Sequence, residues 1–167
     1  MTCSIGQEPK ISNKKLSTVL KEQIISKVKE MLTQNIGDAK QAIANAQASA
    51  NESTKSSAGD KYETSRAMGQ LDIEMYTRQL HDAESKLAVM QNIEGNLRER
   101  NEVNLGALVK TTLGTFFISV GVGKLDIDKQ PIMVISPQSP IGQVIHEKQA
   151  GASVMFREKE IKIIEIS

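Results

Sequence analysis

The sequence is poor in the residues from which catalytic and metal centres are most often built. Its 167 residues include one cysteine, Cys3, and two histidines, His81 and His146, far apart in the chain. A single cysteine excludes an intrachain disulfide and a cysteine metal cluster, and it fits a reducing compartment. The two isolated histidines read as solvated surface groups. Tryptophan is absent and aromatic residues make up 3% of the chain, so function built on base stacking has little to stand on. No window holds the apolar run of a signal peptide or a membrane span, which points to the cytoplasm. Charge of one sign is also lacking. A net charge of +1 leaves no general pull toward nucleic acid or anionic membrane, so any electrostatic partner must be met by a local patch.

What is present divides near residue 100. Before it run Ala, Lys, Glu, Gln and Leu with no proline between Lys10 and Arg100; after it come β-branched residues, glycines and three of the four prolines. In the first part Leu32, Ile36, Ala39, Ile43, Ala46 and Ala50 are spaced alternately by four and three, a heptad seam. A second seam runs through Tyr62, Gly69, Ile73, Tyr76, Leu80, Ala83, Leu87 and Met90, with Arg66 at one of its positions. Laid antiparallel, the seams pair Leu32 with Leu80, Ile36 with Tyr76, Ala39 with Ile73, Ile43 with Gly69, Ala46 with Arg66 and Ala50 with Tyr62. Several layers then set a large residue against a small one. This predicts an intramolecular hairpin folding over at Ser56, with NESTKSSAG as its turn and DKYETSR opening the return helix. A helix from Leu16 to Glu52 would be roughly 55 Å long, an arm that suits reaching into a deep cavity. Asp60 and Glu63 have the spacing of a capping box.

From Gly106 the pattern becomes that of a small sheet. ALVKTTLGTFFISV reads as two strands about a Thr-Leu-Gly turn, PIMVIS as a third, and ASVMF with EIKIIEI as a final hairpin across Arg157 to Lys159. Between them Ser139 caps a short helix that has Pro140 at its first position, SPIGQVIHEK. GVGK lacks the spacing and the following helix of a phosphate loop and reads as a strand end or bulge. No serine has a histidine and a carboxylate at a familiar motif spacing. The expected organisation is a tail over 1–13, an antiparallel coiled-coil hairpin over 14–95 with its tip near 52–60, a connector over 96–105 and a β domain over 106–167. The fold class is α+β: a long helical hairpin, then a small antiparallel β domain with one short helix.

The segment ISPQSPIGQVI, with AIANAQ before the hairpin turn, YETSR after it and DAESKL beyond, resembles the bacterial Gre transcript-cleavage factors, from about residue 15 to the end. The resemblance implies that the β domain is FKBP-like and that the coiled coil enters the secondary channel of RNA polymerase while the β domain holds the rim. It also implies a tip whose two acidic residues help the polymerase hold its second Mg²⁺, so that the polymerase itself hydrolyses backtracked RNA. Such a factor has no cofactor of its own and is not itself an enzyme. It meets nucleic acid only within the transcription complex, has no membrane partner and acts as a monomer. Oxygen ligands are what hard Mg²⁺ requires, and a carboxylate that raises occupancy of the weaker of two metal sites assists phosphodiester cleavage.

The tip departs from the family pattern, because Lys55 and Ala58 stand where Gre factors carry acids. The nearby carboxylates are Glu52, Asp60 and Glu63; Asp60 and Glu63 are equally explained by capping, and Glu52 by a surface charge. On the same resemblance Lys61, Tyr62 and Arg66 are partner-contact candidates near the tip, as are Gln138, Ser139 and Pro140 at the rim loop. Gln138 stands where Asp or Asn is common. Arg66 and Tyr62 also have packing explanations. Three functions compete: a cleavage-stimulating or otherwise modulating channel regulator, a non-cleaving competitor of Gre factors, and a coiled-coil adapter unrelated to transcription that self-associates through an outer stripe including Leu71 and Met75. A prolyl isomerase is disfavoured, since the β domain offers only Phe116, Phe117 and Phe156 as aromatic lining.

Overall fold

The computed structural model describes residues 13–53 and 59–167. Two long helices, α1 (Asn13–Ser53) and α2 (Asp60–Gly95), come first. Both are free of proline and rich in Ala, Gln, Glu, Lys and Leu, which lose little side-chain freedom in a helix. Six strands and one short helix follow, so the α+β class expected from composition is the one adopted. The chain divides into two compact units, residues 27–92 and a second whose described part is 13–26 with 93–167.

In the first unit the helices pack along the expected seams. Val28, Leu32 and Ala39 of α1 and Ala83 and Met90 of α2 are buried; Ile43, Ala46, Ala50, Gly69, Ile73 and Tyr76 are half-buried. Their pairing differs from expectation by one heptad. A methyl group placed on Gly69 would lie 4.0 Å from Cβ of Ala50, and nothing else comes within that distance. Gly69 therefore faces Ala50 and not Ile43. A heptad pattern is unchanged by a shift of seven, so spacing alone leaves this choice open. One feature favours the observed register: it moves Arg66 beyond the Ala50–Gly69 layer, out of the seam. Arg66 is accordingly exposed, not in the seam. Ser56 lies outside the described residues, as does the side chain of Tyr62.

The second unit is built on a sheet of β1 (Leu108–Thr111), β2 (Gly114–Ile118), β3 (Gly123–Ile127), β4 (Gln130–Ile135), β5 (Ser153–Phe156) and β6 (Lys159–Ile166), in the order β3-β4-β2-β1-β6-β5. Four of the five pairings are antiparallel as expected; β2 and β4 pair in parallel, Phe116 beside Met133 and Ile118 beside Ile135, which makes the sheet mixed. The cause is β3, a strand not foreseen in the sequence, which begins at Gly123 and returns as a hairpin so that β4 inserts between β2 and β3. Gly123, at φ 93°, opens β3, so the GVGK segment expected to be a strand end or bulge is the start of a strand.

Lateral neighbours in a sheet share a face. On one face Val109, Phe116, Ile118 and Ile135 form a core with Ile145 of α3 (Pro140–Ile145). On the other, Leu108, Phe117, Ile132 and Val134 are buried, and the first turns of α1 lie on this side. Leu16 and Leu20 line a groove with Leu108 and Thr115, and Gln23 Nε2 donates to Asp128 Oδ2 at 3.4 Å. Cover on both faces explains why TFFIS is apolar without alternation. Full burial of a side chain such as Phe117 or Ile132 contributes roughly 2 kcal/mol.

Candidate functional site

Residues at the far ends of the two helices and in the loop before α3 are the ones expected to meet a partner. Glu52, Glu63 and Arg66 are all exposed. Glu63 and Arg66 line a shallow groove of about 560 Å³ with Ala50, Asn51, Ala67 and Gln70. The small side chains at 50 and 67 open the groove, and the longer polar ones furnish hydrogen-bonding groups of both signs. Glu52 is not part of its wall. Asp60, Lys61 and Tyr62 belong to the first turn of α2, but their side chains lie outside the described residues, as do Lys55 and Ala58. Among the described residues no three His, Cys, Asp or Glu side chains are grouped to hold a metal ion.

The α3 loop is more sharply built. The Ser139 hydroxyl donates to Ser136 O at 2.7 Å and accepts from Gly142 N at 3.1 Å, so it is committed to capping the helix, as its position ahead of Pro140 indicated. Gln143 Nε2 donates to Gln138 O at 3.0 Å, which fixes the Gln138 backbone. Gln138 and Pro140 are the groups exposed to solvent. Gly142 is required by the loop: a Cβ there would collide with Ser136 O and lie 2.8 Å from Ser139 Oγ.

One charged cluster had not been singled out in the sequence. Lys21 is only 4% exposed, and its Nζ donates to Arg98 O at 3.4 Å. Burial lowers its pKa to about 8, the Arg100 guanidinium adds to the effect, and Glu99 opposes it. Arg100 is itself pushed down, by burial and then by Arg98. Its Nε and the Ser119 hydroxyl are, among the described residues, the buried side-chain polar atoms that make no hydrogen bond. A signal for Lys21 was available, since the α1 seam continued backward by one heptad from Val28 falls on it. Histidines 81 and 146 stand at the surface beside Glu84 and Glu147, at 4.0 and 3.9 Å.

Searches of protein-family models, curated proteins and solved structures found no match to this chain. The hairpin followed by a small β unit is compatible with the Gre fold. Among the described residues no helix is long and apolar enough to cross a membrane.

Proposed function

We propose that this chain is a Gre-type regulator that binds RNA polymerase in the cytoplasm and inserts its helical hairpin into the secondary channel. The observation that supports the reading most directly is the pairing of α1 and α2 by heptad seams up to Ala50 and Gly69, with Glu52, Glu63 and Arg66 exposed at that end. The exposed Gln138 and Pro140 ahead of α3 are the natural rim contacts. The chain acts as a monomer, has no cofactor of its own and meets nucleic acid only inside the transcription complex.

In the cleavage-stimulating version, Glu52 and Asp60, with Glu63 as a further candidate, supply oxygen atoms toward a Mg²⁺ of the polymerase active site. Lys61, Tyr62 and Arg66 contact the channel wall. A Glu52→Ala, Asp60→Ala double variant then loses stimulation of cleavage in stalled, backtracked complexes; retention of full stimulation would overturn this version. Lys55 and Ala58 favour a second version, a channel competitor without cleavage. It predicts that the parent chain suppresses cleavage stimulated by a true Gre factor and that the double variant suppresses it equally well. An adapter that self-associates through Met68, Leu71 and Met75, all exposed on α2, remains the alternative outside transcription. It predicts dimers and no association with polymerase.

A further inference from the structure

Between the first turns of α1 and the sheet lies a groove of about 300 Å³ that no residue of the proposed polymerase interface enters. The residues around it all belong to one compact unit. Three adjacent strands form its floor: Lys110 of β1 stands opposite Glu165 of β6 on one side and Thr115 of β2 on the other. Lateral neighbours in a sheet share a face, so these side chains make one row across the groove. Leu108, two residues before Lys110, shares that face, and Leu16 and Leu20 of α1 supply the wall. The two charges are of opposite sign and side by side, yet neither the Lys110 ammonium nor the Glu165 carboxylate makes an ion pair or hydrogen bond with a described residue. The apolar wall is also unfinished, since Leu16 is 63% exposed although it shares the groove with the buried Leu108.

We infer that this groove binds one free α-amino acid with an apolar side chain. Such a molecule holds an ammonium and a carboxylate on one carbon, which matches a cation and an anion on directly opposed residues whose Cβ atoms stand about 5 Å apart. The ligand's carboxylate accepts from Lys110 Nζ, with the Thr115 hydroxyl as a second donor, and its ammonium donates to Glu165. Both contacts are charge-assisted and stronger than neutral hydrogen bonds. Its side chain lies against Leu16, Leu20 and Leu108 and takes their apolar surface out of water. The volume is at the low end for ligand sites, about 300 to 1,000 Å³, and suits a single amino acid better than a peptide or a nucleotide. A fatty carboxylate would leave Glu165 unmatched, and an apolar amine would leave Lys110 so. Occupancy ties α1 to β1 and β6. The site is separate from the polymerase-facing residues and does not depend on the proposed function.

Titration calorimetry of the full chain with L-leucine, and separately with L-phenylalanine, tests the site. Saturable binding of one molecule per chain is expected for at least one of them, with glycine, which lacks the apolar part, weaker by about tenfold or more. Lys110→Gln and Glu165→Gln change exposed residues and should leave the fold intact, as circular dichroism would show. Each should weaken binding of the amino acid about tenfold, the loss of one charge-assisted hydrogen bond. Analogues separate the two charges. Lys110→Gln should leave binding of the amino acid amide, which has no carboxylate, unchanged, and Glu165→Gln should do the same for the N-acetyl derivative, which has no ammonium. No saturable binding of either amino acid, an amide or N-acetyl derivative that binds as tightly as its parent, or affinity unaltered in both variants would overturn the inference.

Discussion

At the scale of single residues, Lys21 sets the clearest pH dependence. Its pKa is about 8 in the folded chain against 10.5 for an ordinary lysine. Below pH 8 both states hold the proton, and the cost of burying the ammonium is present in full. As pH rises from about 8 toward 10.5 the native chain releases a proton that the unfolded chain keeps, so stability increases across that window. Replacing Lys21 with Met should flatten that rise in urea-unfolding free energies. It should also raise neutral-pH stability by about 2 kcal/mol, the burial penalty less the bond to the Arg98 carbonyl. A rise of the same slope in the variant would show that Lys21 is not its source. Gly142 makes the opposite case. Gly142→Ala should destabilise by about 2 kcal/mol, because the added methyl has Ser136 O and Ser139 Oγ in its way; a chemical-denaturation midpoint equal to the parent's would contradict the loop geometry. The Ser139 cap could be read from sequence because Ser-Pro before a helix has local meaning. The need for glycine three residues later could not, since it depends on where a loop carbonyl points.

At the scale of elements, the seams were legible and their register was not. Spacing identifies a stripe, but a shift of one heptad leaves the stripe intact and only side-chain size and the turn decide between registers. Cysteines placed at Ala50 and Gly69, with Cys3 replaced, should form a disulfide readily, because the corresponding Cβ separation of 4.0 Å fits the bond. Cysteines at Ile43 and Gly69 should not; crosslinking at 43 and 69 in preference to 50 and 69 would restore the other register. Burial thins from Val28, Leu32 and Met90 to the half-covered Ala46, Ala50 and Gly69. Amide exchange should therefore be slowest near 28–32 and 83–90 and fastest near the ends of the two helices. In the sheet, the two-residue turns Asp128-Lys129 and Arg157-Glu158 take positive φ at all four residues. Arg157→Asn with Glu158→Gly should raise stability by about 1 kcal/mol, since those residues fit that turn without steric cost. A melting temperature no higher than the parent's would contradict this. Hairpins were readable because their partners are adjacent in sequence. The parallel β2–β4 pair was not, because it is joined through β3.

At the scale of the whole molecule, the ends of the helices and the α3 loop carry the exposed groups that a partner would meet. Exposure of Glu52, Glu63, Arg66, Gln138 and Pro140 leaves these side chains available to a partner, whereas Ser139 holds its own loop and is better read as a scaffold for its neighbours. The buried Lys21 was not singled out in the sequence, because a basic residue in a heptad position looks like a solvated one until its neighbours are placed. The central claim is association with RNA polymerase. Size-exclusion chromatography of the full chain, alone and with core bacterial polymerase at micromolar concentration, tests it most directly. The chain should elute as a monomer by itself and co-elute with the polymerase; a dimer that never shifts into the polymerase peak would contradict the account.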